Sequence, residues 1–363
     1  MLVAVSENSA VIVYRSFLLL KYLSEFKFAV SNSAILPVTR RFSIAPMMDW
    51  TDRHYRYLAR LISRHALLYS EMITTGAILF GDQSRFLDFN NEEHPIAVQL
   101  GGSNPVELAK CAHLCEQWGY DEINLNVGCP SDRVQNNMIG ACLMAEKDLV
   151  SECLKAMRDS VDIPVTVKHR IGIDHLDSED FLIDFVDTLQ RAGTTTFIIH
   201  ARKAILKGLS PKENREIPPL IYDRVYKIKQ LFPNLEIIIN GGIKTLEEVK
   251  EHLKYVDGVM VGREAYQRPW VLADIDHHLY NGPALEDSAL EIGYQYLSYI
   301  EKQHANGLPI WHMVRHSLGL FHGQKGGKVF RRHLSQNAVK KDASPAVFEE
   351  ALKIMSSFSN KEV

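Results

Sequence analysis

The chain has 363 residues, 46% of them apolar and 23% charged, with a formal charge of −3. That length exceeds one ordinary domain of ~100–200 residues, and the composition excludes a disordered or fibrous protein. The five cysteines are odd in number and contain no C-x-x-C pair, which argues against a disulfide framework or zinc knuckle and for a reducing, cytoplasmic compartment.

Residues 1–40 are irregular. Apolar runs at 10–14 and 17–20 are interrupted by Arg15 and Lys21, well short of the ~18–20 residues that span a bilayer. Glu7 and Arg15 make a poor secretory leader. The segment reads as an N-terminal extension, partly disordered, with no assignable role.

From residue 42 the pattern becomes regular. Short β-branched or apolar runs recur at 43–47, 67–72, 96–101, 122–127, 164–169, 196–200, 236–240 and 258–262. Helical stretches at 105–118, 149–158, 178–190, 224–230 and 246–253 lie between them. Eight strands, most followed by a helix, predict an α/β fold, a (βα)8 TIM barrel over 41–282. A doubly wound open sheet is the alternative, but the G-x-G-x-x-G turn it should carry is absent. After residue 280 the strand signal stops, and 290–304, 313–321, 330–338 and 346–356 predict an all-helical domain at 283–363.

The fourth strand carries the most chemistry. Ile123, Leu125 and Val127 alternate with Asn124, Asn126 and Gly128, and Pro130 ends the ladder just after Cys129. A thiol on a strand end beside two amides is a plausible proton donor, although a lone Cys is more often a small buried hydrophobe. Parity places Gln99, Asn124, Asn126, Lys168, Arg170 and His200 toward the barrel lumen near strand carboxyl ends, the rim where this fold keeps its active sites. Asn240, Gly241 and Gly242 after strand seven and Gly262-Arg263 after strand eight suit a phosphate, glycines giving backbone access and Arg263 a fork of donors. Gly241–Gly242 taken alone also reads as an ordinary tight turn. The 323–328 segment lacks the G-x-x-x-x-G-K-[ST] pattern and a preceding strand, and reads as a basic turn. His169 faces the helix layer, and His277-His278 lack companions at metal spacing, so no metal site is predicted.

Charge is unevenly spread. Residues 302–341 hold eight Lys/Arg, five His and no acid, leaving thirty-three basic against forty-four acidic residues elsewhere. A polyanion-facing surface and a merely solvated helical face both explain this.

Four segments carry a resemblance: Phe42-Ser-Ile-Ala-Pro-Met-Met-Asp-Trp-Thr-Asp-Arg-His, Glu122-Ile-Asn-Leu-Asn-Val-Gly-Cys-Pro-Ser-Asp-Arg-Val-Gln, His200-Ala-Arg-Lys-Ala and Leu209-Ser-Pro-Lys-Glu-Asn-Arg-Glu-Ile-Pro-Pro-Leu. Together they resemble the tRNA-dihydrouridine synthases, the last two the A subfamily, over about residues 41–356. The resemblance implies FMN on the barrel rim, with Pro46, Met47 and Met48 at its ring, Gln99 and Lys168 at its polar edge and His200 beside it. Asn240, Gly241, Gly242, Gly262 and Arg263 would hold the phosphate. Cys129 would protonate uracil C5 while the reduced flavin, supplied by NADPH, delivers hydride to C6. Asn126 and Arg170 would orient the uracil, and Lys212, Arg215, Arg331 and Arg332 would contact tRNA. The substrates implied are D-loop uridines 20 and 20a. His169, His54 and the 1–40 extension depart from the family pattern without touching this chemistry. Two alternatives remain: an FMN barrel acting on a free pyrimidine, dihydroorotate dehydrogenase-like, and a non-catalytic tRNA-binding chaperone.

Overall fold

The computed structural model describes residues 38–131 and 138–359; residues 1–37 of the expected extension lie outside them. Eight parallel strands close into a barrel in chain order: β1 (Phe42–Ile44), β2 (Leu67–Thr74), β3 (Ile96–Gly101), β4 (Glu122–Val127), β5 (Val165–Arg170), β6 (Thr196–His200), β7 (Glu236–Asn240) and β8 (Gly258–Val261). β1 pairs with both β2 and β8, which excludes the open sheet. β1 ends three residues before its expected limit. Pro46 has no N–H for a ladder, and the Met47 N–H turns instead to Thr51 Oγ1 at 2.9 Å.

Helices α1 (Arg53–Ile62), α2 (Thr75–Phe80) and α3 (Gln83–Leu87) lie where the apolar pattern predicts none. α1 is nonetheless encoded: the Asp52 carboxylate caps it, accepting from the His54 and Tyr55 N–H groups. Tyr55, Leu58, Ala59 and Ile62 recur along its buried face. Helices α4 (Pro105–Gln117), α5 (Lys147–Arg158), α6 (Glu179–Arg191), α7 (Tyr222–Leu231) and α8 (Leu246–His252) fall within two residues of expectation. α9 (Arg263–Gln267) and α10 (Ile275–Tyr280) follow β8.

The outer faces of the strands, including Val98, Leu100, Ile123, Leu125, Val167, Phe197 and Ile199, pack under the helices. Burying each such side chain contributes about 1.5–3 kcal/mol. That layer leaves the lumen free to be partly polar, and the lumen divides into two walls. Ala45, Leu67, Tyr69, Ala97, Ile198, Ile238 and Met260 form a separate apolar cluster inside the barrel. Gln99, Glu122, Asn124, Asn126, Thr166, Lys168 and Arg170 supply the polar wall from β3, β4 and β5. Residues 38–40, expected in the extension, enter the same interior: Val38 packs on the apolar cluster and Arg40 binds Glu122 and Glu236.

The later helices are α11 (Ala289–Ala305), α12 (Trp311–Val314), α13 (Gly327–Asn337) and α14 (Ala346–Ser359). They form one compact unit with the barrel. The helix expected over 313–321 is not continuous: α12 passes into a 3-10 turn at Arg315–Ser317 and then into separate hydrogen-bonded turns. Two contacts explain the break. Arg315 and His316 reach back to Asp52 on the barrel. At Gly319 a Cβ would lie 2.4 Å from the Gln267 carbonyl oxygen, so this backbone needs glycine.

Candidate active site at the carboxyl rim of the barrel

The strands deliver to one mouth the side chains that parity assigns there. Cys129, two residues beyond β4, is half-buried. Its N–H donates to Asn126 Oδ1 (2.9 Å) and its carbonyl accepts from the Ala141 N–H (2.8 Å). Gly140, at φ +87°, lets that return pass close: a Cβ there would sit 2.4 Å from the Cys129 oxygen. Cys129 is an electrostatic neighbour of Lys168, Arg170 and Arg215.

Lys168, opposite Asn126 in the β4–β5 register, makes no hydrogen bond with the described residues. Burial, then Arg170, push its amine down to about 7, against a smaller opposing effect of Cys129. His200 closes β6, and its Nδ1 is buried without a partner among the described residues. Burial and the nearby Arg170, Lys168 and Arg202 hold its imidazole well below the usual range, so it is neutral at pH 7.

Arg170 binds loop backbone at three points. Its Nε donates to the Gly128 carbonyl (2.9 Å), and its Nη1 to the carbonyls of Lys203 (3.0 Å) and Asn214 (3.1 Å). Asn126 is engaged too: Nδ2 donates to Gln99 Oε1 (2.7 Å), while Oδ1 accepts from the Gly128 and Cys129 N–H groups. Gln99 in turn donates to Asn124 Oδ1 at 2.8 Å. Three residues expected to face ligand therefore also brace the loops that line the mouth.

Asn240 donates to the Met260 carbonyl (2.8 Å), joining the ends of β7 and β8. Gly241 and Gly242 follow at φ +124° and +76°. A Cβ on Gly242 would fall 2.6 Å from Leu220 Cδ1, and one on Gly241 3.4 Å from His200 Nε2. Such a turn, with the His200 ring beside it, fits an anionic ligand. Gly262 opens α9, and Met47 Sδ is 3.8 Å from its Cβ position. Pro46 and Met47 are half-buried, and Met48 is exposed on the same turn. Arg263, expected at the phosphate from its place after β8, contacts the 209–220 segment. Nη1 binds Glu216 (2.7 Å) and Nη2 the Arg215 carbonyl, tying the 209–220 segment to α9.

Lys212 and Arg215 are exposed on that segment, held by the buried Asn214, which bonds the backbone of Ile205 in both directions. Arg332 is exposed and Arg331 half-exposed on α13, beside Lys325 and Lys328. The basic stretch is not wholly a surface: Arg315 and buried His316 bind Asp52. The segment read as a basic turn is one, its Gly323 and Gly326 at positive φ ahead of α13.

Three other cysteines and His169 pack. Cys111, Cys115 and Cys153 are buried with thiols pushed up by burial. His169 donates from Nδ1 to the Arg170 carbonyl and lies against Phe185 and Phe197. Residues missed by the sequence reading are Arg40, Glu122 and Thr166 below the mouth. Glu122 shares its face with Asn124 and Asn126 at two-residue spacing, which is the signal that marks it. Among the described residues no three His, Cys, Asp or Glu side chains group to hold a metal, and no helix is long and apolar enough to cross a membrane.

The chain is 58% identical over 326 residues to a tRNA-dihydrouridine(20/20a) synthase of Salmonella typhi, covering 90% of this chain and 98% of that protein. It is 59% identical over 312 residues to one of Shewanella oneidensis, covering 86% and 93%. The old yellow enzyme homologue of Zymomonas mobilis shares the fold, at a TM-score of 0.50 and 12% identity over 72% of this chain and 96% of that one. The family model for dihydrouridine synthase matches residues 43–357, and the chain belongs to that family.

Proposed function

We propose that the chain reduces D-loop uridines of tRNA, at positions 20 and 20a, to 5,6-dihydrouridine in the cytoplasm, with FMN resident at the rim and NADPH as reductant. The carrying observation is a half-buried thiol that is an electrostatic neighbour of buried Lys168, at a rim where His200 Nδ1 has no partner among the described residues, in a chain 58% identical to synthases of this type. FMN, when bound, supplies the hydride that reaches C6 of the uracil. Cys129 gives its thiol proton to C5, completing addition across the double bond. Lys168 and Arg170 stabilise the thiolate left behind. An amine held near 7 recovers its full charge when an anion is placed beside it, so Lys168 suits the polar edge of the flavin. Neutral His200 offers Nδ1 as donor or acceptor there. The Gly241–Gly242 turn suits the phosphate. The target base leaves its stack to reach the rim, at least cost from a single-stranded loop.

Incubating unmodified tRNA with the protein, FMN and NADPH, then mapping dihydrouridine by mass spectrometry, tests the reading. Product at 20 and 20a supports it; turnover of a free pyrimidine with no change in tRNA rejects it. Two variants probe its parts. Gly242→Ala forces a Cβ at φ +76° against Leu220, a strain of about 1–3 kcal/mol, and is expected to lower the FMN retained after gel filtration. Unchanged retention removes the phosphate role of this turn. Arg331→Ala with Arg332→Ala is expected to raise KM for tRNA and flatten its log–log salt slope by roughly 1–2, the loss of two phosphate contacts. An unchanged slope means that α13 is not an RNA surface.

A further inference from the structure

Below the mouth an unbroken line of hydrogen bonds crosses the lumen. Glu122, at the start of β4, is fully buried and accepts from Arg40 Nε at Oε2 (2.6 Å). Its Oε1 accepts from the hydroxyls of Tyr69 (2.5 Å) and Thr166 (2.6 Å). An ionised carboxylate only accepts, so the single Thr166 proton is spent on it. The Thr166 oxygen then accepts from Asn124 Nδ2 (2.9 Å), which turns the Asn124 oxygen to Gln99 Nε2 (2.8 Å). The Gln99 oxygen is left for Asn126 Nδ2 (2.7 Å). Asn126 must therefore present its own oxygen to the N–H groups of Gly128 (3.1 Å) and Cys129 (2.9 Å).

We infer that Glu122 and Thr166 are positioning residues for Cys129: the buried carboxylate fixes the direction of three successive amides, and that direction makes Asn126 the double acceptor that pins the thiol-bearing loop. From Glu122 to Asn126 the effect runs four residues along a strand, about 13 Å. Reversing the line would aim the Asn126 amino group at two N–H donors, and the loop would have to move away. This inference rests on the proposed role of Cys129, but the placement of the loop is measurable without it.

Glu122→Gln keeps an oxygen for Arg40 and turns an amino group toward Thr166, which frees the hydroxyl proton to donate to Asn124 and lets every amide beyond it reverse. Thr166→Val cuts the line near its source, Thr166→Ser retains it, and Tyr69→Phe removes only the side branch. The rate of iodoacetamide labelling at Cys129, located by peptide mass spectrometry with Cys142 as internal reference, reports loop placement in the holoenzyme without tRNA. Glu122→Gln and Thr166→Val are expected to change that rate severalfold and to lower kcat by roughly ten- to a hundredfold, with KM for tRNA unchanged, as a misplaced reacting group does. Thr166→Ser and Tyr69→Phe are expected to match the unaltered protein in both. Labelling at Cys129 that is unchanged in Thr166→Val overturns the inference, even where Cys129 proves essential. If Cys129 proves dispensable, its role as proton donor fails while the labelling still decides the relay. A neutron map of the unaltered protein needs no variant to fold: the Asn126 oxygen must face the Cys129 N–H, and the opposite orientation overturns the inference.

Discussion

Cys129→Ala is expected to abolish dihydrouridine formation, with a rate loss of about 10²–10⁴, while FMN content and tRNA affinity stay near those of the unaltered protein. The structure makes this a clean test, since the hydrogen bonds that hold the residue use its backbone N–H and carbonyl, which alanine retains. Truncation removes one sulfur atom from a half-exposed site, costing less than the ~0.8 kcal/mol of a fully buried methylene. A large rate loss would therefore report chemistry rather than folding. Cys129→Ser should recover little, because a hydroxyl is a far weaker acid than a thiol and acid catalysis follows proton-donor strength. Single-turnover conversion of tRNA, followed by mass spectrometry, is the measurement. Conversion within about threefold of the unaltered protein would remove the thiol from the mechanism, and another rim group would have to donate the proton.

Much of this site is legible in sequence because a closed parallel barrel translates parity into direction. Once β3 to β6 are placed, Gln99, Asn126, Lys168, Arg170 and His200 must point inward, and the rim follows from their position at strand ends. Parity does not say what an inward residue binds. Asn126 and Arg170 fit a substrate-orienting role by residue type, yet their hydrogen bonds run to the Gly128, Cys129, Lys203 and Asn214 backbone. Arg263 similarly fits a phosphate by its place after β8 but is drawn to Glu216, forty-seven residues away in sequence. Such pairings join distant segments and leave no local periodicity. Apart from the ten-residue α1, the helices missed were the short ones, α2, α3, α9 and α10 at five or six residues, too brief for a 3.6-residue period to repeat twice. The helix expected over 313–321 fails for the opposite reason. Its local pattern is helical, but Asp52 and Gln267 across the barrel edge impose another path.

That cross-connection carries the second large effect: Asp52→Ala is expected to destabilise the protein by on the order of 3 kcal/mol. One carboxylate serves both sides. Oδ1 caps α1, and Oδ2 accepts from Arg315 Nη2 (2.6 Å) and His316 Nε2 (2.9 Å). Loss of the cap alone costs about 1 kcal/mol. The remainder comes from leaving buried His316 and partly exposed Arg315 without their acceptor, less than a fully buried broken pair because water reaches Arg315. Burial alone would raise the Asp52 carboxyl, but the hydrogen bond and charge of His316 win and hold it well below the usual carboxylate range. For His316 burial wins over Asp52 and lowers its pKa, so at neutral pH the ring is uncharged, donating from Nε2 to Asp52 and accepting at Nδ1 from Tyr266. The signs follow from linkage. A histidine depressed on folding contributes stability above its unfolded value of ~6.5 and loses it as pH falls; a depressed carboxylate does so only below ~3.9. Without Asp52, His316 loses the partner that raises its pKa. Denaturant unfolding of Asp52→Ala should accordingly show a lower midpoint at pH 7, a steeper loss of stability as pH falls below about 6.5, and a shallower one below about 3.9. A midpoint shift under roughly 0.5 kcal/mol at pH 7 would mean that the carboxylate bridges the barrel and the later helices without holding them together.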